Sequence, residues 1–565
     1  MTAPRAVSAR EFWNWALSPA SWQAWQKRTG PLVSLRLAIS LPPGGEPLAG
    51  TAAAVLSRLE KLLGDPVRQL AALSGPQRRP QLHLLAGCAR GQTVLVSLWQ
   101  PPAEKLPVVW QLVAVGTRGV VSLQGVPLAL EGQGALPSEA APELRQALEL
   151  ALGRGESVQR RGEEWIPAAG HRAEAIQLPR QEPDWKRLQN VPKPWGVLLV
   201  AGKFTHQENY GESFAQDPRC RLVAVTDGGN LTPRREKLNR QWAQRLQLPY
   251  LEDYRQALAR QDVHIVSVCA EPDRRAALEV QAAAAGKAVY LDKPLCTTRQ
   301  EAQAVAQAVA QNGVPSQMFS LVWVPQVQQA RRLLAQGPEV ADQLHYELFF
   351  AKGHPGTATL DHPRQEVYPP GLLEGPLTKR EWANVGVYTL AALRHLLGPC
   401  VKRVFAITGN YFFSENQAEN MEDFAAALLE LTDGRVMSVR VGRTGWRSHP
   451  NFGVHRLLVA GPRGARLMDV HEPHLAFWVE EPPWPGAKRH EGDPMGFWSS
   501  SQEEMQTPPK QSWSLPPWGA DDIRRFVDCL EQGRRPEVTA LEAAQGHHWL
   551  LAGYESAARG AWVEV

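Results

Sequence analysis

Short apolar runs alternate with helical segments between residues 191 and 315, and this feature constrains the fold more than any other. The runs are WGVLLVAG, RLVAVTD, DVHIVSVCA and AVYLDKP, and the last one follows an Ala-rich segment. Runs of strand length that alternate with helices are typical of a parallel sheet with crossover helices. We therefore predict a doubly wound α/β domain of the Rossmann, dinucleotide-binding type over 191–315.

A different pattern begins after residue 340. The segments LHYELFFA, VKRVFAITGNYF and FAAALLELTDGRVMSVRVG alternate in polarity, and Asp-Gly or Pro-Arg-Gly turns separate strands of this region. This pattern predicts an α+β domain over 316–565, built on a mostly antiparallel sheet that is open on one face. The Pro- and charge-rich stretch 166–190 is predicted to be a linker.

The chain also contains an internal similarity. The segment LSRLEKLLGDPVRQLAALSG at 56–75 aligns without gaps with LAALRHLLGPCVKRVFAITG at 390–409. Two further pairs of segments are similar: 110–123 with 455–468, and 143–158 with 522–538. We predict that residues 1–165 are a degenerate α+β copy of the sheet domain without a nucleotide-binding half. Chance similarity between short apolar patterns is the alternative.

The charge balance favours a small-molecule substrate. A formal net charge of +4 over 565 residues predicts neither a nucleic-acid partner nor a membrane partner. No window approaches the roughly 20 apolar residues of a membrane span, and charged residues interrupt the N-terminal segment. Six cysteines without a Cys-x-x-Cys pair predict free thiols. We assign no metal, and we expect a cytoplasmic location.

The turn after the first strand of the Rossmann domain is where a dinucleotide pyrophosphate would bind to backbone N–H groups at a helix N-terminus. The segment GVLLVAGKFTHQ lacks the Gly-x-Gly-x-x-Gly pattern. With Gly202 as the central glycine, Val200 and Thr205 take the flanking glycine positions. Thr205 and His206 are candidate donors to the cofactor, or else N-cap residues of the next helix.

Asp227 ends the second predicted strand, about 25 residues after Gly202, near the spacing at which an acidic residue binds the adenosine ribose. A carboxylate at this place would repel a 2′-phosphate, so NAD is favoured as the cofactor. Arg234 and Arg235 follow closely and keep NADP possible. The alternative is that Asp227 is a solvated turn residue.

Lys293 closes the fourth strand of the predicted sheet. A lysine at the carboxyl end of a parallel strand points into the crevice where such sheets bind ligands. Its ammonium group can orient a substrate hydroxyl and share the alkoxide charge that develops as hydride leaves the carbon. The alternative is a surface lysine paired with Asp292.

Two of these strand ends, AEPD at 270–273 and DKP at 292–294, resemble those of the Gfo/Idh/MocA family of oxidoreductases. The resemblance extends over about 190–565. It implies an NAD(P)-dependent dehydrogenase in which Glu271, Pro272 and Asp292 lie at the cofactor. It also implies a sheet domain that commonly stacks on a partner subunit, and hence either a homodimer or, with the N-terminal copy, an intrachain pseudo-dimer.

A second landmark of that family, Asp-x-Gly-x-His, corresponds to NVGVY at 384–388. Asn384 replaces the aspartate and Tyr388 replaces the histidine. The tyrosine resembles that of glucose-fructose oxidoreductase and dimeric dihydrodiol dehydrogenase, which implies an acid-base role for Tyr388. A phenol is a poor base near pH 7 unless a cation lowers its pKa, and Lys293 is the candidate cation. Alternatively, Tyr388 packs at the domain interface.

The substrate pocket is less readable than the catalytic pair. The candidate substrate-binding residues are Asn384, His354, Trp382, Arg443 and Trp446. Apart from Asn384, each of these is equally compatible with a place in the core or on the surface.

The leading functional hypothesis is hydride transfer between NAD(P) and the hydroxyl or carbonyl carbon of a sugar-like or cyclitol substrate. Lys293 and Tyr388 would handle the proton. The alternative is a catalytically inactive relative that serves as a binding or assembly protein. A further possibility is another cofactor chemistry, such as reduction of a linear tetrapyrrole, for which the family has precedents.

Overall fold

The structure of the chain, a computed structural model, consists of three sheets and the helices that pack on them. The structure describes residues 18–41, 48–74, 81–100, 108–128, 141–202, 206–229, 231, 233–335, 343–350, 380–418, 420–444, 454–461, 464–469, 476–479 and 520–565.

The N-terminal region is a mixed sheet with helices on one face. Its helices are α1 (Pro19–Thr29), α2 (Leu48–Leu63) and α3 (Pro142–Arg154). Its strands are β1 (Leu32–Ser40), β2 (Val67–Ser74), β3 (Gln81–Cys88), β4 (Thr93–Trp99), β5 (Val108–Gly116), β6 (Gly119–Leu128), β7 (Ser157–Arg161) and β8 (Glu164–Ala168). The sheet therefore continues to Ala168, a few residues into the predicted linker.

The Rossmann domain has the predicted parallel sheet. Its strands are β10 (Trp195–Val200), β11 (Cys220–Thr226), β12 (Ile265–Val268), β13 (Ala288–Leu291) and β14 (Ser316–Met318). Its helices are α4 (Gln207–Gln216), α5 (Pro233–Arg245), α6 (Tyr254–Ala259), α7 (Pro272–Ala284) and α8 (Arg299–Gln311). The strand order is β11-β10-β12-β13-β14, with all neighbours parallel. The last strand lies just beyond the predicted boundary at 315.

The third sheet belongs to the C-terminal domain. Its helices are α9 (Pro325–Leu334), α10 (Val387–Leu397), α11 (Ser414–Ala418), α12 (Ala520–Gln532) and α13 (Ala540–Arg559), and a π-helical turn (Trp382–Gly386) precedes α10. Its strands are β15 (Gln343–Phe350), β16 (Val401–Gly409), β17 (Phe424–Leu431), β18 (Val436–Arg443), β19 (Val454–Gly461), β20 (Gly464–Asp469) and β22 (Val563–Glu564). β15 and β18 run parallel, whereas the other described pairs among these strands are antiparallel, so the sheet is mostly antiparallel as predicted.

The two mixed sheets exchange edge strands. β9 (His171–Arg172), from the predicted linker, pairs with β22 of the C-terminal sheet. β21 (Ala476–Val479), from the C-terminal region, pairs with β6 of the N-terminal sheet. In the described part of the chain, the strand orders are β21-β6-β5-β1-β4-β3-β2-β7-β8 and β20-β19-β15-β18-β17-β16-β22-β9.

The face of the C-terminal sheet that was predicted to be open is covered by the N-terminal sheet. One buried apolar cluster takes residues from both sheets, among them Leu85 and Val113 from the N-terminal one and Phe405 and Leu428 from the C-terminal one. Side chains that alternate between the two faces of a strand allow one face to pack on helices and the other on a second sheet. Within the described residues, the face predicted to be open in the C-terminal domain thus packs on the N-terminal sheet, which is the arrangement of the intrachain alternative.

Two expectations from composition concern the whole chain. All six cysteines lie among the described residues, and each is a buried free thiol. Among the helices that the structure describes, none combines the length and the hydropathy needed to cross a bilayer.

Candidate active site

Lys293 connects the Rossmann domain to the C-terminal domain. It lies two residues after β13 and is 5% exposed. Its ammonium nitrogen donates hydrogen bonds to Asn384 at two atoms, the side-chain oxygen at 2.5 Å and the backbone oxygen at 3.3 Å. Asn384 lies in the π-helical turn, an element that is frequent at functional sites. The structure therefore brings together two of the residues singled out in the sequence.

Tyr388 lies one helical turn after Asn384 and also contacts Lys293. The ammonium nitrogen is 5.2 Å from the centroid of the phenol ring, a distance at which a cation is attracted to the ring face. Phe319 and Phe350 pack around the same ring, with centroid distances of 6.0 Å and 5.9 Å. Lys293 and Tyr388 thus form a buried pair that joins the two lobes.

The pKa values of this pair differ from the sequence expectation. Burial lowers the pKa of Lys293 to about 8, although the Asp292 carboxylate acts in the opposite direction. Burial raises the pKa of Tyr388 well above 10, and the charge of Arg443 does not offset this effect. The expectation that Lys293 lowers the pKa of Tyr388 is corrected, because desolvation of the phenolate dominates. At neutral pH the phenol is protonated, and Lys293 is the group that changes charge.

Glu381 was missed in the sequence analysis. Its two carboxylate oxygens are each 3.4 Å from the side-chain nitrogen of Asn384, and one of them accepts a hydrogen bond of 2.9 Å from Arg443. Glu381 and Arg443 are both buried. They orient the amide of Asn384 so that its oxygen faces Lys293. The available signal was spacing, since Glu381 precedes Asn384 by three residues, which is one helical turn.

Asp292 is held by residues of its own domain rather than by Lys293. Its carboxylate accepts hydrogen bonds from Tyr210 at 2.7 Å, Arg275 at 2.9 Å and the Cys269 thiol at 3.2 Å, and it lies 3.2 Å from His206. Burial alone would raise the pKa of Asp292, but Arg275 and the neighbouring groups hold it well below its usual range. The carboxylate is therefore ionised and fixed beside Lys293.

His206, Cys269 and Asp292 also form the group within the described residues with the donor types of a metal site. Their ligand atoms all lie within 4.8 Å of one another. The Arg275 guanidinium, however, already pairs with Asp292, and a second positive charge there would be repelled. This cluster therefore supports no metal assignment, and it anchors the strand end that carries Lys293.

The phosphate-loop residues contact other parts of the same domain. The carbonyl oxygen of Gly202 accepts a hydrogen bond of 2.9 Å from Arg235. A β-carbon at position 202 would lie 2.4 Å from a carboxylate oxygen of Glu271, so the space beside the glycine holds this carboxylate. His206 is the N-cap residue of α4, in agreement with the N-cap alternative, although its side chain makes no capping hydrogen bond. Thr205 lies outside the described residues.

Asp227 is buried at the end of β11 and is 3% exposed, so it is not a solvated turn residue. Its carboxylate accepts hydrogen bonds from the Tyr250 hydroxyl, from Asn239 at 3.4 Å and from the N–H of Gly229 at 2.9 Å. Arg274 donates to its backbone oxygen at 2.9 Å. The carboxylate expected to bind ribose is therefore already hydrogen-bonded within the chain.

Of the remaining predicted residues, two lie among the described residues and two do not. Pro272 is the first residue of α7 and is buried, with Glu271 as the N-cap. Trp382 is fully buried and donates its indole N–H to Leu550 at 2.9 Å, so it is a core residue and not a pocket residue. His354 and Trp446 lie outside the described residues.

The fold and the site define a class of protein in which a lysine at the end of a parallel, nucleotide-binding type of sheet is buried against a second sheet domain. Residues 197–319 match the family model of the Gfo/Idh/MocA oxidoreductases with an NAD-binding Rossmann fold. Residues 382–565 match the C-terminal α/β domain of the same family. The two ranges together span more than half of the chain. The chain therefore belongs to the Gfo/Idh/MocA oxidoreductase family, with an NAD-binding Rossmann domain.

Solved structures with similar folds include GenD2 from gentamicin A biosynthesis in complex with NAD. It shares 20% identity and a TM-score of 0.49, over 69% of this chain and 99% of the other. Myo-inositol 2-dehydrogenase from Lactobacillus plantarum shares 16% identity and a TM-score of 0.48, over 66% and 100%. The WlbA dehydrogenase from Bordetella pertussis, in complex with NADH and UDP-GlcNAcA, shares 18% and 0.48, over 65% and 97%. No curated protein matches in sequence.

Proposed function

We propose that the protein is an NAD(P)-dependent oxidoreductase that transfers hydride between nicotinamide and a carbon bearing a hydroxyl or carbonyl group. The observation that carries this proposal is the buried Lys293, which reaches from the end of a Rossmann strand to Asn384 in the other lobe. The family membership supports the reaction type. The sugar-like or cyclitol substrate class is part of the proposal and follows the family resemblance.

The residues of the crevice fit a nicotinamide dinucleotide. Asp227 provides a carboxylate at the end of the second strand, and Gly202 provides a position without a side chain at the first turn. A dinucleotide would replace the Tyr250 hydroxyl at Asp227 and displace the Glu271 carboxylate from Gly202. The second displacement also breaks the 2.6 Å ion pair between Glu271 and Arg274.

Bound NAD(P) would supply the site that accepts or donates the hydride. The proton is handled by this chain. With a pKa near 8, Lys293 exists in both protonation states near neutral pH, which is the condition for an effective general acid-base group. We propose that neutral Lys293 removes the hydroxyl proton of an alcohol substrate, and that its ammonium form returns a proton to the oxygen of a carbonyl substrate.

Tyr388 has a different role in this proposal. Because its phenol stays protonated, it is a hydrogen-bond donor to the substrate oxygen and not the base. The face of its ring also contacts the Lys293 ammonium, 5.2 Å from the ring centroid. The tyrosine thereby takes the place of the family histidine as a positioning and donating group, while the lysine carries the proton.

A second candidate function is an inactive member of the family that retains the crevice as a structural feature. The specific observation that favours it is the set of internal contacts at the adenosine end, where Tyr250 binds Asp227 and Glu271 fills the space at Gly202. These contacts would then be permanent, and no dinucleotide would bind.

Titration with NADH and NADPH, followed by quenching of tryptophan fluorescence, separates the two functions. The chain has 20 tryptophans, so a signal is available. Saturable quenching supports the oxidoreductase. If neither nucleotide binds at millimolar concentration, the oxidoreductase proposal is wrong and the inactive relative is the better description.

Lys293→Met tests the chemistry in the same preparation. We expect turnover with a panel of cyclitols and aldoses to fall by about 10²- to 10⁴-fold, the usual contribution of a general acid-base group, while NADH affinity stays close to that of the unmodified protein. Lys287→Met is a matched control, because Lys287 lies in the same domain at the opposite end of β13. Equal turnover in Lys293→Met would remove this residue from the mechanism.

A further inference from the structure

The N-terminal and C-terminal sheets share one topology. The strand order β6-β5-β1-β4-β3-β2-β7 in the first corresponds to β20-β19-β15-β18-β17-β16-β22 in the second. Within these seven strands, each sheet has one parallel pair, β1 with β4 and β15 with β18, at the same place. Unrelated mixed sheets are not expected to share an order of seven strands with the parallel pair at the same position.

The pairing irregularities coincide as well. In the pairing of β2 with β3, the register shifts between Val67 and Gln69. In the pairing of β16 with β17, it shifts between Val401 and Arg403. These positions correspond to each other in the ungapped alignment of 56–75 with 390–409. A β-bulge is a specific feature that families retain, so its recurrence at aligned positions points to a common origin.

In each copy, the last strand comes after a helix and pairs with the equivalent strand of the sheet. After α3, β7 adds to the edge of β2 and pairs Val158 with Leu70. After α13, β22 adds to the edge of β16 and pairs Val563 with Val404. The helix equivalent to α3 is therefore α13. The sequence alignment, which matched α3 with the segment containing α12, is wrong at this helix.

The N-terminal copy lacks the catalytic side chains. Extending the alignment by the same offset places Gly50 opposite Asn384 and Ala54 opposite Tyr388. Neither residue can donate a proton or orient a lysine through its side chain. The N-terminal copy therefore retains the architecture of the sheet domain without its chemistry.

The two sheets meet through a buried charged group as well as apolar side chains. Arg36 of β1 binds both carboxylate oxygens of Glu347 in β15, at 2.8 Å and 3.1 Å, and Arg440 of β18 binds the first of these oxygens at 2.7 Å. Arg440 also donates to Ser34 of β1 at 3.0 Å. All three charged side chains are at most 1% exposed. Buried charges require such pairing, so the contact is specific.

We propose that residues 32–168 are a second copy of the catalytic sheet domain, kept as a built-in partner subunit, so that the protein is a monomer with one active site. The N-terminal copy covers an apolar face of the catalytic sheet that would otherwise be a large exposed apolar patch, the kind of surface that binds a second chain. The exchanged strands β9 and β21 hold the copies together through backbone hydrogen bonds.

The N-terminal copy also packs on the strands that carry Phe350 and Arg443 of the proposed active site. Glu347 and Phe350 lie three residues apart on β15, as do Arg440 and Arg443 on β18. Residues at odd spacing point to opposite faces of a strand. Glu347 and Arg440 face the N-terminal copy, whereas Phe350 contacts Tyr388 and Arg443 contacts Glu381 on the other side. The buried charged group therefore fixes the two strands that carry these contacts.

Sedimentation equilibrium of the full chain tests the proposal. We expect a single species of 62.5 kDa from low to high micromolar concentration. A stable dimer would overturn the proposal, because the built-in partner leaves no second chain to recruit. This measurement does not depend on the oxidoreductase activity, so the two proposals can fail separately.

A substitution at the contact between the sheets provides the second test. Leu85 is fully buried between the sheets, and Leu85→Asp should separate them and expose the apolar face of the catalytic sheet. We expect this variant to self-associate, so that its mass rises with concentration. The control is Arg68→Asp, at an exposed position of β2, which should remain a monomer. If folded Leu85→Asp is monomeric and as stable as the control, the sheet contact is not an interface of this kind. If it does not fold, the mass of the unmodified chain decides.

Discussion

At the scale of single residues, the proposed active site depends on the charges around Lys293. Burial lowers the pKa of this lysine most, Asp292 and Glu381 raise it, and Arg443 lowers it. Glu381 and Arg443 are hydrogen-bonded to each other, and Glu381 reaches Lys293 through Asn384. The protonation of the lysine is therefore set by a buried network and not by one neighbour.

Neutralising Glu381 and neutralising Arg443 should move the pH profile of alcohol oxidation in opposite directions. If neutral Lys293 is the base, alcohol oxidation rises with pH through about 8. Glu381→Gln removes a negative charge and should shift this rise to lower pH, whereas Arg443→Gln removes a positive charge and should shift it to higher pH. The measurement is kcat against pH with the best substrate of the panel. Shifts in the same direction, or none, would contradict the network, and circular dichroism checks that both variants fold.

At the scale of elements, the acidic residue at the end of β11, Asp227, is hydrogen-bonded by a side chain from the second β-α unit of the Rossmann domain. The segment after α5 returns to β11 and forms a bridge between Tyr250 and Val225. This bridge brings the Tyr250 hydroxyl to Asp227, and Arg240 of α5 covers the Tyr250 ring at 4.4 Å. The hydroxyl thus occupies the hydrogen-bonding position expected for the adenosine ribose.

Tyr250→Phe should therefore strengthen NADH binding. The variant removes the hydroxyl that competes for Asp227, and one hydrogen bond is worth about 1 kcal/mol, or roughly a fivefold lower Kd. Tyr254→Phe is the matched control, because that hydroxyl donates to the backbone oxygen of Leu278 at 2.9 Å, away from Asp227. Both are measured by fluorescence titration with NADH. Unchanged or weaker binding in Tyr250→Phe would show that the hydroxyl does not compete with the cofactor.

At the scale of the whole molecule, Asp522 is one of the side chains that join the Rossmann domain to the C-terminal domain. It lies in α12 and accepts hydrogen bonds from Tyr290 of β13 at 2.8 Å and Gln317 of β14 at 2.9 Å. Burial raises its pKa to about 7 despite these bonds. Near neutral pH the native chain therefore retains a proton on a carboxyl group that the unfolded chain has released.

This retained proton makes stability depend on pH. Because the folded pKa is above the unfolded one, the native state binds more protons between about pH 4 and pH 7, and stability falls as pH rises through this range, by up to about 4 kcal/mol. Asp522→Asn does not titrate and should lose less stability between pH 5 and pH 8 in urea unfolding. Asp423, whose pKa burial also raises to about 7, should leave part of the dependence in the variant. Identical pH dependence in both proteins would contradict the assignment.

Local patterns were sufficient for the Rossmann sheet and for the candidate pair Lys293 and Tyr388. Strand-length runs and strand ends follow from nearest-neighbour sequence, and a strand end directs its side chain to the crevice. The environment of these residues was not predictable in the same way. Burial raises the pKa of Tyr388, and the Phe319 and Phe350 rings that pack around it come from two other segments of the chain.

The sequence by itself determined the parallel sheet and predicted the order of the domains and the internal repeat, because periodicity and turn residues act over a few positions. Only the tertiary structure decided that the two sheets face each other, that α13 rather than α12 directly precedes the last strand β22, and that Glu381 hydrogen-bonds the amide of Asn384. The reason is physical. A buried charge or an apolar sheet face has to find its partner in space, and for Arg36 that partner is Glu347, more than three hundred residues further along the chain.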